Sequence, residues 1–236
     1  MMSNNKIPKH VVVIPDGNRR WAKKRGLQPW EGHDVGAKMI EKIVRKAREL
    51  GIQYISIWGS SKENLVKRPM RERQELINIY TKYFEKLINS EEVEKDDVRI
   101  NIIGGWREQL PKNLVNLLEE GIEKTKYHHK YHVNFFLSYS GDDEMLAAIR
   151  EIIKNCHDSA TVTKDTVKKH LFTKDLPPVD YLIRTGGEPH LSTGFMMWDI
   201  ANAQLFFSDL YFPEFDDGEF EKAIADYARR MRRHGA

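Results

Sequence analysis

Short apolar runs alternate with longer amphipathic segments along the chain, and this alternation constrains the fold more than any other feature of the sequence. Six runs are apolar at consecutive or nearly consecutive positions, as is typical of strands covered on both faces. They are Val11–Ile14, Tyr54–Trp58, Ile100–Ile103, Val133–Leu137, Tyr181–Ile183 and Leu205–Phe207. Strand–helix alternation predicts an α/β fold with a mostly parallel central sheet of about six strands, flanked by helices.

Five of the remaining segments carry apolar residues at the spacing of one helix face. These stripes run from Val35 to Leu50, from Leu76 to Ile88, from Leu114 to Ile122, from Met145 to Ile153 and from Phe220 to Met231. Two polar stretches, Asn155–Thr166 and Thr173–Pro178, are predicted loops. With 236 residues and neither an internal repeat nor a low-complexity linker, the chain is expected to form a single domain over residues 1–236.

The composition narrows the class of protein. It is 40% hydrophobic and 31% charged, as in ordinary soluble globular proteins. The single cysteine, Cys156, cannot form an intrachain disulfide and fits a reducing compartment. We expect no signal peptide and no transmembrane segment, because no apolar stretch approaches the ~20 residues of a membrane span. The expected location is therefore cytoplasmic, with at most peripheral membrane contact, and a net charge of only +3 gives no reason to expect nucleic-acid binding.

Glycines and polar residues follow nearly every predicted strand. The segments after the strands are PDGNRR, GSSKEN, GGWR, SYSGDD, RTGGE and SD. In open α/β sheets, ligands bind outside the carboxyl ends of the strands. Arginines offer paired donors to phosphate, and glycines let backbone N–H groups approach its oxygens. Because these residue types converge on one edge of the sheet, the sequence predicts a phosphate or diphosphate site there.

Asp16 stands among cations in the stretch HVVVIPDGNRRWAKKRG, and two interpretations are open. A carboxylate beside phosphate-binding groups is a natural Mg²⁺ ligand, because hard cations bridge carboxylate and phosphate oxygens. An aspartate ahead of a helix is also a common N-cap. The nucleotide-binding motifs G-x-x-x-x-G-K-[ST] and G-x-G-x-x-G do not occur in the sequence. The residues alone therefore indicate phosphate chemistry without naming the ligand.

Six segments, in order along nearly the whole chain, form a recognisable set. They are DGNRRWAKKRG, EGH at Glu31–His33, SSKENLVKRP, YLIRTGGE, LFFSDLYFPEF and the C-terminal RRHG. They resemble the motifs D-G-N-x-R-W-A, x-G-H, S-x-E-N-x-x-R-P, R-T-[GS]-G-E, L-Y-F-T-D-x-x-W-P-x-F and R-x-G of the cis-prenyltransferases, the undecaprenyl diphosphate synthase-like enzymes. The resemblance implies that family's fold, with an apolar tunnel beside the sheet.

The resemblance also implies an activity. Enzymes of this family are Mg²⁺-dependent prenyltransferases that join an allylic diphosphate to isopentenyl diphosphate and release pyrophosphate. The implied allylic substrate is dimethylallyl, geranyl or farnesyl diphosphate, and the implied assembly is a homodimer. Asp16 would be the catalytic carboxylate linked to the metal, and Asn64 would occupy the proton-accepting position.

The resemblance places further residues at two diphosphate sites. Gly17, Asn18, Arg19 and Arg20 would hold the allylic diphosphate, with Trp21 and His33 lining the same site. Ser61, Lys62 and Glu63 would lie where hydrocarbon meets diphosphate. Arg68, Arg184, His190 and Ser192 would hold the second diphosphate, together with Arg233 and Gly235, which a partner subunit could supply. Gln204 stands where the family has a glutamate that helps to bind metal.

Departures from the family pattern concentrate at these sites. Pro29, His190 and Gln204 replace two arginines and that glutamate, and SYSGD at 138–142 replaces N-Y-G-G-R. Three alternatives follow: a regular short- or medium-chain synthase with compensating contacts, an irregular synthase of the lavandulyl type that couples two dimethylallyl diphosphates, or a non-catalytic subunit. The retained Asp16 and Arg184 argue against the last. A basic binding module is a more remote alternative, since it does not explain a carboxylate among the cations.

One helical stripe bears on product length. Ile77, Tyr80, Tyr83, Phe84 and Leu87 either pack in the core or form an apolar wall beside the reacting carbocation. If they form the wall, the bulk of the three aromatic residues indicates a short tunnel and hence a short product.

Overall fold

A computed structural model describes residues 7–156 and 158–230, and its centre is one six-stranded sheet. The strands are β1 (His10–Ile14), β2 (Tyr54–Trp58), β3 (Val98–Ile103), β4 (Tyr131–Phe136), β5 (Tyr181–Arg184) and β6 (Gln204–Phe207). They lie in the order β3-β4-β2-β1-β5-β6, and every neighbouring pair is parallel. The predicted α/β fold is confirmed, and the sheet is wholly rather than mostly parallel.

Helices flank this sheet. They are α1 (Asn18–Lys24), α2 (Pro29–Glu49), α3 (Lys62–Lys67), α4 (Met70–Ile88), α5 (Glu91–Lys95), α6 (Trp106–Gln109), α7 (Lys112–Lys124), α8 (Gly141–Asn155), α9 (Lys164–His170) and α10 (Asp217–Arg229). The five predicted stripes lie on α2, α4, α7, α8 and α10, although Met231 is outside the described residues. The prediction of a loop through Asn155–Thr166 is wrong at its end, because Thr163 accepts a hydrogen bond from Thr166 N and begins α9.

The core occupies both faces of the sheet. Val11 and Val13 of β1 belong to a large apolar cluster on the face covered by α2, α4, α7 and α10, whereas Val12 and Ile14 belong to a second cluster on the opposite face. All five residues of β1 are buried, as the consecutive apolar residues predicted. Among the described helices, none combines the length and the apolar character that crossing a bilayer requires.

The strand pairing determines which polar segments meet. Ile14, the last residue of β1, lies beside Arg184, the last residue of β5. On its other side β1 pairs with β2, whose end leads into Gly59 and Ser60. The segments after β1, β2 and β5 therefore emerge at the same edge of the sheet, although 168 residues of sequence separate Asp16 from Arg184.

Candidate active site

Asp16 lies between two guanidinium groups at this edge. Its Oδ2 is 2.8 Å from Arg184 Nη2, and its Oδ1 is 3.2 Å from Arg20 Nη2. The Arg184 side chain is only 4% exposed, so one of the two cations is almost fully withdrawn from water. The N-cap of α1 is Gly17 rather than Asp16. The N-cap interpretation of Asp16 is therefore wrong, and its carboxylate belongs to an ion-pair cluster.

The backbone around Asp16 is held by its neighbours. Thr185 Oγ1 accepts a hydrogen bond from Asp16 N at 3.0 Å and donates one to Asp16 O at 2.8 Å. Gly17 adopts a φ of +103°, in the left-handed region that favours glycine, and a Cβ there would lie 2.7 Å from Tyr211 Cδ1. The Asp16 carboxylate thus lies on a turn whose backbone is hydrogen-bonded to Thr185, directly after β5. The next residue of the turn, Gly17, has no room for a side chain.

The segment after β5 wraps around the same cluster. Arg184 Nη1 donates to the backbone oxygen of His190 at 2.6 Å, and Arg20 Nη1 lies 3.2 Å from Glu188 Oε1. Arg184 Nε is buried and has no hydrogen-bond partner among the described residues. The imidazole of His190 is 58% exposed and lies near Glu188. His190 therefore reaches Arg184 through its backbone and not through its ring.

A second carboxylate, which is buried, organises the opposite side of the site. Glu72 is 3% exposed and pairs with both Arg68 and Arg19, whose Nε is 3.3 Å away. Arg68 Nη1 in turn donates to His33 Nε2 at 2.9 Å. Sequence reasoning missed Glu72; the only signal was its spacing of four residues from Arg68 at the start of a helix.

His33 is held in its neutral form. Loss of contact with water, followed by the charges of Arg68 and Arg19, lowers the pKa of His33 to about 3. A neutral imidazole can accept the hydrogen bond from Arg68, whereas an imidazolium has no lone pair to offer. His33 therefore acts as an acceptor that orients Arg68.

An apolar cavity of about 470 Å³ opens at this cluster. Its mouth is lined by Asp16, Gly17, Asn18, Arg19, Arg20, His33, Asn64 and Arg68. Its wall includes four of the five stripe residues, namely Tyr80, Tyr83, Phe84 and Leu87, whereas Ile77 packs in the core. The lining continues to Val98, Tyr131 and His132 at the other end of the sheet. His132 is level with His10, so six residues, roughly 20 Å along the strands, separate it from Asp16.

Asn18 ties the mouth of the cavity to the first two helices. Its Nδ2 donates to Pro15 O at 2.9 Å, while its Oδ1 is buried and unpartnered among the described residues. Cβ atoms added at Gly32 and Gly36 would lie 2.2 Å and 2.3 Å from Asn18 O and Asn18 Oδ1. The two glycines of α2 therefore allow α1 to approach closely enough for Asn18 to face the site.

Several other predicted site residues lie apart from Asp16, Arg20 and Arg184. The ring of Trp21 packs against Arg25, with 4.3 Å from the ring centroid to Arg25 Cζ. Ser61, Lys62 and Glu63 line a separate depression of about 360 Å³, together with Asp142 and Thr193. Ser192 accepts a backbone hydrogen bond from Phe195. Arg233 and Gly235 lie outside the described residues.

The structure also separates Gln204 from Asp16 within one chain. Gln204 pairs with Tyr181, which is level with Val11, so roughly 16 Å along the strands separates it from Asp16. Within residues 7–156 and 158–230, no group of three or more His, Cys, Asp or Glu side chains could hold a metal ion. Asp16 is therefore a single carboxylate donor, of the kind that binds Mg²⁺ together with substrate phosphates.

A polar cluster of this composition, at the mouth of a deep apolar cavity, suits an amphipathic diphosphate. A family model described as "Putative undecaprenyl diphosphate synthase" matches residues 14–235. The chain belongs to the cis-prenyltransferase family. The family predicted from the six sequence segments is confirmed, and with it a prenyltransferase enzyme.

Relatives of this cis-prenyltransferase include archaeal and bacterial proteins. It is 36% identical, over 99% of its length and 89% of the relative's, to a tritrans,polycis-undecaprenyl-diphosphate synthase (geranylgeranyl-diphosphate specific) of Thermococcus kodakarensis. It is 38% identical to the protein of the same name from Pyrococcus furiosus, over 97% of this chain and 87% of that one. It is 37% identical to an isoprenyl transferase of Halalkalibacterium halodurans, over 99% and 91% of the two chains.

A solved structure shares the fold of this cis-prenyltransferase. The crystal structure of lavandulyl diphosphate synthase from Lavandula x intermedia, in complex with dimethylallyl diphosphate, superposes with a TM-score of 0.92 at 27% identity. The match covers 99% of this chain and 100% of that one. The predicted cis-prenyltransferase fold is thereby confirmed.

Proposed function

We propose that this cis-prenyltransferase elongates an allylic diphosphate with isopentenyl diphosphate. The observation that carries the proposal is the Asp16 carboxylate, bracketed by Arg20 and Arg184 at the mouth of an apolar cavity. Cations and backbone amides suit the diphosphate, and the cavity suits the hydrocarbon. The relatives named as undecaprenyl-diphosphate synthases support the same reaction class for this chain.

The reaction assigns tasks to residues at the cavity mouth. The allylic C–O bond breaks and pyrophosphate leaves with the electron pair. Arg19, Arg20 and the amides beside Gly17 would stabilise the developing negative charge, since preorganised donors act most strongly where water is excluded. The double bond of isopentenyl diphosphate then attacks the allylic carbon, and a proton leaves the new chain. Asn64 lines the cavity mouth and would be the proton-accepting position.

Asp16 would hold Mg²⁺ jointly with the phosphates of the substrate. The donor set fits, because one carboxylate with phosphate oxygens and water is a usual Mg²⁺ environment. When bound, the ion neutralises charge on the diphosphate and makes it a better leaving group. Arg184 and Arg20 would keep the Asp16 carboxylate in place.

The depth of the cavity bears on the length of the product. A short product would require Tyr80, Tyr83 and Phe84 to close the tunnel. All three are in the lining, yet the lining continues to Val98 and Tyr131. We therefore propose a product whose chain can pass these aromatic side chains toward the far end of the sheet.

Irregular coupling of two dimethylallyl diphosphates is a second candidate. Two features favour it: His190 contacts Arg184 through its backbone oxygen while its ring lies near Glu188, and Gln204 replaces the family's glutamate. The solved structure named as a lavandulyl diphosphate synthase, which shares this fold, gives a further reason to consider this reaction. The Asp16 site would ionise the first substrate in the same way in both reactions, so the two candidates differ only in the second substrate.

We also propose a homodimer formed at the edge of the sheet. On edge strand β6, Leu205 and Phe207 are 39% and 38% exposed, and Leu191 and Leu210 nearby are 37% and 36% exposed. An exposed edge strand with apolar side chains is a usual pairing surface. Analytical ultracentrifugation of the wild-type chain and of Phe207→Glu should show a dimer and a monomer respectively.

One assay separates the candidate reactions. The purified protein with Mg²⁺ is given dimethylallyl, geranyl, farnesyl or geranylgeranyl diphosphate, each with and without isopentenyl diphosphate, and the dephosphorylated alcohols are identified. Products that lengthen in isoprene steps only when isopentenyl diphosphate is present support the proposal. A product from dimethylallyl diphosphate alone supports irregular coupling. No product from any combination, with diphosphate binding retained, would indicate a non-catalytic subunit.

A further inference from the structure

Residues 188–199 run from the candidate active site to the core on the other face of the sheet. Near one end, the backbone oxygen of His190 accepts a hydrogen bond of 2.6 Å from Arg184 Nη1. Near the other end, Phe195 and Met196 are fully buried in the second apolar cluster, which lies on the face opposite the cavity. This segment therefore joins the ion pairs of the site to the interior of the molecule.

Two residues of this segment adopt a backbone conformation that side chains disfavour. Thr193 has a φ of +47° and Met196 a φ of +48°, both in the left-handed region that favours glycine. Such conformations cost free energy and persist only where the surrounding structure holds them. Contacts from outside the segment must therefore hold the turn at 193–196.

The start of α8 supplies two of these contacts. Gly141 N donates to Thr193 O at 2.9 Å, and a Cβ at Gly141 would lie 1.9 Å from Gly194 O, so only glycine permits this approach. The hydroxyl of Tyr139, two residues before α8, accepts a hydrogen bond from Met196 N at 3.2 Å. Both strained residues are thus held by the segment that begins α8.

A buried carboxylate fixes the Tyr139 hydroxyl in turn. This hydroxyl donates to Glu144 Oε2 at 2.5 Å, and Glu144 is 1% exposed. Burial, followed by the charge of Glu144, raises the pKa of Tyr139, so the hydroxyl keeps its proton and remains a donor. Glu144 Oε1 accepts from Thr173 N at 2.9 Å, and Thr173 Oγ1 donates to Asp199 Oδ2 at 2.6 Å. The hydroxyl of Tyr139 therefore has a fixed direction, with a lone pair toward Met196 N.

This network is an expensive way to fill a core. Glu144 and Asp199 are both buried carboxylates, and Lys168 pairs with Asp199 at 2.5 Å. Replacing buried ionic groups by apolar groups of similar volume is often neutral or stabilising. The network is therefore better explained by the direction that its hydrogen bonds impose on Tyr139 than by a gain in stability.

We propose that Tyr139 and Glu144 are positioning residues for the second diphosphate. They hold the turn at 193–196, and with it Ser192, the residue directly before that turn, in the conformation that binds. The inference rests on the proposed function and on the predicted role of Ser192. Neither Tyr139 nor Glu144 lines the apolar cavity. Because a binding group loses its contacts when it is slightly displaced, a loosened turn should weaken binding of isopentenyl diphosphate and spare the allylic diphosphate, whose predicted site is on α1.

The test uses Tyr139→Phe, which removes the hydroxyl and keeps the ring. Tyr181→Phe is the matched control, because Tyr181 is also buried and donates to a carboxylate, Asp226 Oδ2 at 3.1 Å, but belongs to the other apolar cluster. We expect KM for isopentenyl diphosphate to rise about tenfold in Tyr139→Phe, as for one lost hydrogen bond that leaves a buried group unpaired. KM for the allylic diphosphate, and both KM values of Tyr181→Phe, should not change.

A role in stability alone would have a different signature. It would reduce the folded fraction and hence the apparent kcat, with both KM values unchanged. That result, an equal rise of both KM values, or kinetics of Tyr139→Phe equal to wild type overturns the proposal. If Tyr139→Phe does not fold, Glu144→Gln, which keeps the shape of the side chain and removes its charge, takes its place under the same outcomes.

A second measurement does not depend on turnover. The three proteins are saturated with eicosyl diphosphate, which has no allylic double bond and does not ionise, and are then titrated calorimetrically with isopentenyl diphosphate. We expect Kd to be about tenfold higher in Tyr139→Phe than in wild type and in Tyr181→Phe. Equal Kd values, or no binding of isopentenyl diphosphate to wild type, overturn the proposal. Absence of product with this binding pattern retained contradicts only the proposed function.

Discussion

Arg184 Nη2 lies 2.8 Å from Asp16 Oδ2 across the boundary between β1 and β5. The two residues extend from adjacent parallel strands whose ends are in register, Ile14 beside Arg184. The guanidinium is buried, whereas the carboxylate is partly open to the cavity. One partner is thus fixed by the core and the other faces the ligand, which is the arrangement that a preorganised charge site requires.

Replacing Asp16 by Asn should abolish most turnover. The amide has nearly the same shape but no charge, so it holds Mg²⁺ poorly and leaves Arg184 without its ion partner. We expect kcat to fall by about 100- to 1,000-fold, in the range seen when one preorganised charge-stabilising group is removed. Single-turnover product formation measures the loss. Binding of the allylic diphosphate should survive, so retained turnover with unchanged Mg²⁺ dependence would contradict the role given to Asp16.

Replacing Arg184 by Lys should weaken the site while preserving the charge. An ammonium group cannot reach Asp16 and the His190 backbone oxygen as the guanidinium does, because it lacks the planar fork. Loss of one charged hydrogen bond, about 1.5–3 kcal/mol, corresponds to roughly a 10- to 100-fold lower kcat/KM. Arg107→Lys at an exposed ion pair is the control and should leave kcat/KM unchanged. Equal kcat/KM values for Arg184→Lys and Arg107→Lys would mean that Arg184 does not contribute to the diphosphate site.

Replacing Glu72 by Gln tests whether this buried carboxylate positions the arginines. The substitution keeps the shape but leaves Arg68 and Arg19 without their shared counter-ion. We expect a loss of about 1–3 kcal/mol in the free energy of unfolding and roughly a tenfold lower kcat/KM, mostly through KM, because Arg68 becomes less well oriented. Urea denaturation and steady-state kinetics measure the two effects. A higher kcat/KM would show instead that Glu72 competes with substrate for the arginines.

Stability should fall as the pH drops below about 6.5. Burial lowers the pKa of His10 to about 4, and that of His33 is lowered to about 3. Each histidine is protonated more readily in the unfolded chain, so between these values and 6.5 the unfolded state binds more protons and acidification favours it. Each contributes a slope of at most about 1.4 kcal/mol per pH unit.

His10 allows this pH dependence to be tested away from the active site. Its Nδ1 is 2.8 Å from Pro177 O and its Nε2 is 2.8 Å from Ser56 Oγ, so the neutral ring satisfies both partners. Urea denaturation at several pH values between 5 and 8 gives the free energy of unfolding as a function of pH. We expect this free energy to depend less steeply on pH in His10→Gln than in wild type. The difference in slope should correspond to at most one proton bound on unfolding. An unchanged slope would mean that His10 does not titrate on unfolding.

The strands and the location of the site could be predicted from the sequence because both depend on local patterns. Consecutive apolar residues mark strands such as β1, and glycine and aspartate mark the turn that follows it. Asp16 was therefore found at the correct edge of the sheet. The choice between metal ligand and N-cap required the structure, since both interpretations share the same local sequence.

Residues that act through tertiary contacts could not be predicted in this way. Glu72 lies in an unremarkable sequence context, and Thr185 lies in the RTGGE segment without a predicted role of its own. The importance of the two residues comes from Arg19 and from the Asp16 backbone, which reach them only in the folded chain. Helical spacing places Tyr80 and Phe84 on one face of α4, but it does not show whether the apolar cavity continues beyond them. Tunnel depth depends on how α2 and α4 are set against the sheet, which is a property of packing.

β1 lies inside the sheet, between strands that come from two different parts of the chain. β2, β3 and β4 lie on one side of it and come from the first part of the chain, whereas β5 and β6 lie on the other side and come from residues 181–207. The cluster around Asp16 is therefore complete only when β5 has paired with β1, because Arg184 comes from β5 whereas Asp16 and Arg20 come from the first 20 residues. Segments far apart in the sequence must meet before this cluster exists. A ligand that binds only the finished arrangement favours the folded state by mass action.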